Sequence, residues 1–259
     1  MFAPPKQRTG IAVSVLLLAV VAVVVGVTVI LTTGGHGDTP TAAPPPVTPR
    51  SAPTVPSDPL PSYASPKPLA VQPLIAGWQA VATDRDGVAY DVPPDWQVLS
   101  PGTIAGYESA NGDPEVLMHT VADYRHDFCP AERGSTRAQV GFITPQDPSP
   151  PTQARDAVRA WAAAAAEGDD GTRPAVTVST PRRVAVDGGK LTATVYTATA
   201  PMADPDTCQA PLVKVTVAAL SKPDGTPALF VAVTDEQVPD ALPDSVLGQV
   251  VASLRPVAG

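Results

Sequence analysis

Apolar and polar residues alternate along most of the C-terminal part of the chain, in short runs that are separated by Asp-Gly pairs. Alternation with a period of two is typical of a half-buried β-strand, and an Asp-Gly pair between two such runs favours a hairpin turn. We therefore expect a mostly antiparallel sheet. The pattern predicts strands at 79–83, 88–92, 104–108, 115–125 and 137–143, and hairpins around the turns Asp187-Gly188 and Asp224-Gly225.

Two segments repeat their apolar residues with helical spacing. The first follows Thr152, whose side chain is the predicted N-cap, and continues to about Glu167. The second is predicted over 246–254, with Asp240 or Asp244 as its cap. Antiparallel hairpins that alternate with helices predict an α+β domain, in which an antiparallel β-sheet is flanked by helices.

A continuous apolar run covers residues 11–31 and contains no charged residue. As a helix it would be roughly 32 Å long, close to the hydrocarbon thickness of a bilayer. Lys6 and Arg8 precede it, so the positive-inside rule makes residues 1–10 a short cytoplasmic tail. We expect a single-pass cell-membrane protein that contacts membrane lipid through 11–31 and carries its C-terminal domain on the extracytoplasmic side.

Two other kinds of N-terminal processing fit this run less well. A cleaved signal peptide has a shorter apolar core, and the candidate cleavage site at Thr41-Ala42-Ala43 is followed by Pro44. A lipoprotein needs a cysteine directly after the apolar run, whereas the first cysteine here is Cys129. An uncleaved transmembrane helix is therefore the preferred interpretation.

Proline, serine and threonine dominate residues 32–73, in a chain that contains 33 prolines. Such a segment buries too little apolar surface to offset its ordering entropy, and its prolines favour extended polyproline II conformations. We predict a disordered linker over 32–73 that leads to an extracytoplasmic α+β domain over 74–259. Pro-rich Ser/Thr tracts are also O-glycosylation targets, and the sequence leaves that modification open.

Acidic residues outnumber basic ones, with 25 Asp and Glu against 17 Lys and Arg and a formal net charge of −8. Nucleic-acid binding requires clustered basic residues, so we exclude nucleic acid as a partner. The charge favours a cationic partner instead. The composition also follows GC-rich codons, which indicates a high-GC bacterium.

Cys129 and Cys208 are the two cysteines, and both lie beyond the predicted membrane segment. Disulfides persist outside the cytoplasm, so we predict a structural disulfide between them. Two cysteines are too few for a Cys-based zinc site, and no metal is expected. Asp84-x-Asp86-Gly87 matches only the start of a calcium loop, and a hairpin turn is the preferred interpretation.

The sequence contains no nucleophile elbow, zinc-protease motif or phosphate-binding glycine loop, so no catalytic residue and no cofactor is assigned. The possible site residues are His119, Asp123 and His126, in or near the strand predicted at 115–125. His119 and His126 are an odd number of residues apart, so a regular strand directs them to opposite faces. His119 and Asp123 would share a face there, but about 13 Å apart, too far for a hydrogen bond.

The three tryptophans, Trp78, Trp96 and Trp161, are expected in the structural core, because the domain has few other aromatic residues. We expect Trp96 to pack beneath a helix and Trp161 to pack against the sheet.

The segment Val92-Pro93-Pro94-Asp95-Trp96 resembles the Val-Pro-x-x-Trp motif of the PsbP-like fold, whose bacterial members include mycobacterial lipoproteins of the LpqN type. The closing helix, which ends Ala252-Ser253-Leu254, fits the same fold. The whole layout is similar to a family of actinobacterial single-pass membrane proteins whose extracytoplasmic domain has no assigned function. The resemblance implies an antiparallel sheet between helices and a binding or assembly role, without established catalytic residues.

These observations favour a membrane-anchored, extracytoplasmic, non-catalytic module that binds a protein partner or an envelope component such as cell-wall material. Two alternatives stay open. One is an enzyme that acts on the cell wall through a site invisible as a sequence motif. The other is a ligand sensor that acts through a partner membrane protein. The identity of the ligand or partner and the oligomeric state are not encoded in any motif found here.

Overall fold

Residues 66–146 and 149–257 are described by the computed structural model of the protein. The predicted tail (1–10), the predicted membrane helix (11–31) and most of the predicted linker (32–73) lie outside the described residues. Within the two described ranges, no helix has the length and apolar character needed to cross a membrane.

The described residues form twelve strands and two α-helices, and most of the strands lie where apolar and polar residues alternate in the sequence. The strands are β1 (Gln79–Ala82), β2 (Val88–Val92), β3 (Gln97–Val98), β4 (Ile104–Glu108), β5 (Pro114–Tyr124), β6 (Ala138–Ile143), β7 (Thr177–Val178), β8 (Arg182–Val186), β9 (Leu191–Pro201), β10 (Leu212–Ser221), β11 (Pro227–Glu236) and β12 (Arg255–Pro256). The helices are α1 (Pro150–Ala166) and α2 (Asp244–Ala252).

Nine of these strands form one antiparallel sheet in the order β3-β5-β6-β11-β10-β9-β7, with β4 also beside β5 and β8 also beside β9. A small second sheet has the order β1-β2-β12. Helix α1 packs on one face of the large sheet, and the small sheet packs with α2 on the other. This arrangement agrees with the predicted α+β class, an antiparallel sheet with helices on its faces.

Each face of the large sheet carries its own core. On the small-sheet face, the rings of Tyr90, Phe142 and Phe230 meet edge to face, with centroids 5.2 to 6.0 Å apart. On the α1 face, Trp161 is buried and packs edge-on to Tyr107. Edge-to-face pairs add to the stabilisation that apolar burial provides.

The tryptophans differ in their burial. Trp96 is buried in the core of the small-sheet face, where its ring lies 5.5 Å from that of Tyr124. Trp78 is only half-buried and packs against the same core.

Both helices begin earlier than the apolar pattern indicates. Helix α1 starts at Pro150 with Ser149 as N-cap, so the prediction of Thr152 as the cap was wrong. Proline suits the first turn because its missing N–H would have no partner there. Helix α2 starts after Pro243, so neither Asp240 nor Asp244 is its N-cap. Their carboxylates bind basic side chains of other elements instead.

A buried ion pair joins the beginning and the end of the described chain. The Arg255 guanidinium lies 2.8 Å from the Asp91 carboxylate, and both side chains are almost fully buried. Asp91 also accepts hydrogen bonds from the backbone N–H groups of Leu74 and Ile75. Arg255 donates in addition to the carbonyl oxygen of Gln72. Since a buried charge is tolerated only with such partners, this cluster fastens segment 72–75 to the small sheet.

Candidate functional site

A β-bulge in β5 separates the residues that the sequence placed on one face. The register of β5 against β6 shifts between His119 and Ala122, and Thr120 inside the shift has a φ of 55°. His119 therefore lies opposite Phe142, on the small-sheet face, whereas Asp123 lies opposite Gln139 and faces the α1 side. The expectation that His119 and Asp123 share a face was wrong, because the bulge adds one residue to the strand.

Asp123 and His126 form a local pair. The Asp123 carboxylate lies 2.8 Å from Nδ1 of His126 and accepts a hydrogen bond from Nε2 of Gln139. Burial raises the pKa of Asp123, and the hydrogen bonds from Gln139 and His126 only partly oppose that effect. Among the described residues, no group of three or more His, Cys, Asp or Glu side chains is arranged to hold a metal ion.

The structure contains a cleft of about 420 Å³ on the α1 side of the large sheet. Its walls are the β4–β5 turn, the loop 127–136, the last turn of α1 and the loop 202–210. Among the described residues that line it, none is Lys, Arg or His. Four of the lining residues are acidic, namely Glu108, Glu132, Asp169 and Asp235.

Cross-links between the loops hold the walls of the cleft in place. The predicted disulfide between Cys129 and Cys208 is confirmed, and it joins the loop 127–136 to the loop 202–210. Glu167, just after α1, is buried; it accepts a hydrogen bond from the N–H of Ala110 in the β4–β5 turn and pairs with Arg173. The walls therefore have a fixed spacing before any ligand arrives.

Among the carboxylates of the cleft, Asp235 has the most strongly shifted pKa. Burial raises the pKa of Asp235 to about 6, despite a hydrogen bond from Arg137 and with help from the negative charges of Asp240 and Glu132. Burial and the nearby Asp206 also raise the pKa of Glu132. The carboxylates thus repel one another, and a cation that entered the cleft would relieve that repulsion.

Arg137 pairs with two carboxylates and stacks on an aromatic ring. It donates to Asp235 and Asp240, each at 2.9 Å, and its guanidinium lies 3.7 Å from the ring centre of Phe128. An arginine that is paired and stacked in this way positions Asp235 and Phe128 at the cleft.

The raised pKa of Asp235 predicts a specific pH dependence of stability. Between its unfolded pKa of 3.8 and its folded pKa of about 6, the folded protein binds more protons than the unfolded chain. The contribution of Asp235 to the free energy of unfolding therefore decreases as the pH rises from 4 to 6.5, by on the order of 2–3 kcal/mol. Urea unfolding of the wild type and of Asp235→Asn at several pH values isolates this contribution.

The control for this prediction is Asp224→Asn, in the exposed β10–β11 turn. Hydrogen bonds from Thr226 lower the pKa of Asp224, so its stabilising contribution is lost only as the pH falls below about 4 and stays nearly constant from pH 4 to 6.5. A difference between wild type and Asp235→Asn that stays constant from pH 4 to 6.5 would contradict the assignment.

The acidic residues of the cleft were not singled out in the sequence. Glu108, Glu132 and Asp235 belong to three different segments and come together only in the folded chain. The one sequence signal that pointed toward them was the excess of acidic residues.

Comparison with known proteins gives a family for this domain. Residues 71–259 match the family model of a domain of unknown function, DUF8017. No curated protein matches the sequence. The match covers well over half of the chain, and the protein therefore belongs to the DUF8017 family.

Proposed function

We propose that this protein is a membrane-anchored extracytoplasmic binding module, whose cleft holds a cationic group of a protein partner or an envelope component. The observation that carries the proposal is the lining of the cleft, which includes four carboxylates and, among its described residues, no basic side chain. Its volume of about 420 Å³ lies within the range of small-molecule sites. A primary amine or a guanidinium is the chemical group that such a lining favours.

The uncharged groups of the cleft support binding of a hydrogen-bond donor. The side-chain oxygen of Gln209 is buried and accepts no hydrogen bond from the described residues. Leaving such an acceptor without a partner costs about 1–3 kcal/mol, which a ligand N–H would recover once the Gln209 amide turned toward the cleft. Tyr107 and Phe128 add aromatic surface to the same lining.

The rest of the chain supports a role at the cell envelope. The apolar run 11–31 would anchor the protein, and the Pro-rich segment 32–73 would hold the domain away from the bilayer. The resemblance to PsbP-like domains and to actinobacterial single-pass proteins supports the same binding or assembly role.

We expect a basic peptide to bind this cleft. The measurement is isothermal titration of the detergent-solubilised full-length protein with an oligolysine peptide, and with the same peptide after acetylation of its amines. Glu108→Gln/Glu132→Gln should weaken binding of the basic peptide by at least about tenfold, because both carboxylates line the cleft and Glu132 is partly buried there. The acetylated peptide should not bind measurably.

The matched control is Asp95→Asn/Asp156→Asn, which removes the same charge from exposed positions outside the cleft. This variant should bind the basic peptide within about twofold of wild type, since well-solvated charges contribute little. Equal weakening in both double variants would show diffuse electrostatic attraction and would overturn the cleft as the site.

A further inference from the structure

A second cluster of chemically active side chains lies on the small-sheet face, away from the cleft. Nδ1 of His119 lies 3.2 Å from the Asp86 carboxylate, and Nε2 of the same ring lies 3.3 Å from the hydroxyl of Thr144. The side chains of Asp86 and His119 are less than one-tenth exposed, whereas Thr144 is exposed. None of these residues lines the cleft. The cluster therefore places a buried imidazole between a buried carboxylate and an accessible hydroxyl.

The Asp86 carboxylate is held as an anion in one orientation. Its Oδ2 accepts hydrogen bonds from the hydroxyls of Thr83 and Thr120, at 3.0 and 2.7 Å, which leaves Oδ1 facing His119. Burial acts to raise the pKa of Asp86. The neighbouring His119 and the hydrogen bonds from the two threonine hydroxyls outweigh that effect, so the pKa lies below its ordinary value. At 3.2 Å this anion is in ion-pair contact with Nδ1 of His119 without a well-aligned hydrogen bond. A small rotation of the ring in the substrate complex would direct an Nδ1 proton to Asp86 and leave the lone pair on Nε2.

Backbone strain accompanies this arrangement. Thr120 has a φ of 55°, in the left-handed region that β-branched residues avoid, and it lies inside the bulge of β5. Its carbonyl oxygen accepts a hydrogen bond of 2.6 Å from the buried Tyr90 hydroxyl. Such a conformation costs on the order of 1–3 kcal/mol and is concentrated at functional sites. Here the strained residue is Thr120, whose hydroxyl donates a hydrogen bond to Asp86.

We propose that Thr144, His119 and Asp86 form a nucleophile–base–carboxylate relay that hydrolyses a carboxylic ester. The order of the groups and their separations match the general pattern of an activated hydroxyl, in which apo distances are often slightly long. Because Thr144 is exposed, the relay suits a short acyl group, such as acetyl, on an extended carrier. This activity is independent of the cation-binding cleft, and it gives the chain a catalytic function that no sequence motif indicated.

The reaction balances with water as the second substrate. Thr144 Oγ1 attacks the ester carbonyl and gives its proton to Nε2 of His119. The carbon–oxygen bond to the carrier breaks, and the His119 proton passes to the departing alcohol. Water then attacks the acyl-threonine, again with His119 as base, and releases the carboxylic acid and free Thr144. Asp86 is a positioning residue that orients His119 and stabilises its cationic form.

The test is hydrolysis of 4-nitrophenyl acetate by the full-length protein, with the acetylated residue located by peptide mass spectrometry. We expect an acetyl group on Thr144, and loss of at least about 100-fold of the rate in Thr144→Ala. Thr144→Ser should keep the activity. Asp86→Asn should lower kcat by at least about tenfold with little change in KM, since it acts on the base and not on ester binding.

The matched control is His126→Gln, which removes an imidazole that pairs with Asp123 and Asp127. This variant should retain the wild-type rate within about twofold. The midpoint of thermal unfolding, measured for this variant and for Thr144→Ala, reports whether the fold is intact. A rate in Thr144→Ala equal to wild type, or acetyl found only on other residues, would overturn the proposal. Oligolysine binding by Thr144→Ala should equal that of wild type. The esterase proposal and the cation-binding proposal can therefore fail independently.

Discussion

Replacement of Cys129 and Cys208 by alanine is expected to lower the free energy of unfolding by about 4–5 kcal/mol, the loss that chain entropy predicts for a loop of this length. The two cysteines are 79 residues apart in sequence. Without the cross-link, the unfolded chain gains the entropy that closure of this long loop had removed. Such a loss is a large share of the stability of an ordinary domain.

Urea denaturation of the oxidised wild type and of the double variant measures this effect. The variant should also lose affinity for the basic peptide, because the disulfide sets the spacing between two walls of the cleft. Reductant is the matched control: it should bring the wild type to the stability of the variant and leave the variant unchanged. Equal denaturation midpoints for the oxidised wild type and the variant would contradict a stabilising role for the bridge.

Trp161→Ala is expected to cost about 3–5 kcal/mol, the range found for large aromatic residues removed from a core. Trp161 is 2% exposed, on the face of α1 that packs against the large sheet. Its buried neighbours on the helix are mostly alanines, which cannot extend to fill the space that the indole leaves. The ring also supports Tyr107, a residue that lines the cleft.

Thermal and urea unfolding of Trp161→Ala measure the loss, and Trp78→Ala is the control. Trp78 is only half-buried, so its truncation should cost less than half as much. A melting temperature of Trp161→Ala equal to that of wild type would show that the indole contributes nothing to the docking of α1.

Local patterns predicted the strands well, because alternation and turn residues act over a few positions. The strands at 88–92 and 104–108 have the predicted ends, and the two long hairpins form around Asp187-Gly188 and Asp224-Gly225. The helix starts were predicted less well. Ser149 followed by Pro150 is a favourable helix start, but Thr152 is also a residue type that caps helices, so the sequence alone did not distinguish the two.

The candidate sites depend on contacts that no local pattern carries. Threonine favours extended strands, so nothing in the sequence marks Thr120 as the residue of a bulge. Without that bulge, the faces of His119 and Asp123 could not be assigned correctly. Asp86 was interpreted only as part of a turn, and its alignment with His119 requires the small sheet to pack on the large one.

The pair of Arg255 and Asp91 also determines how the domain would bear mechanical load. In a protein tethered on its N-terminal side, as proposed, tension first reaches residues 67–69, which hydrogen-bond to residues 82–84 at the end of β1, and then Gln72 and Leu74. Both residues bind directly to this pair, so the pull passes into the small sheet and α2 before it reaches the long hairpins. Stretching would therefore break the small sheet first, while the large sheet that carries the cleft stays folded.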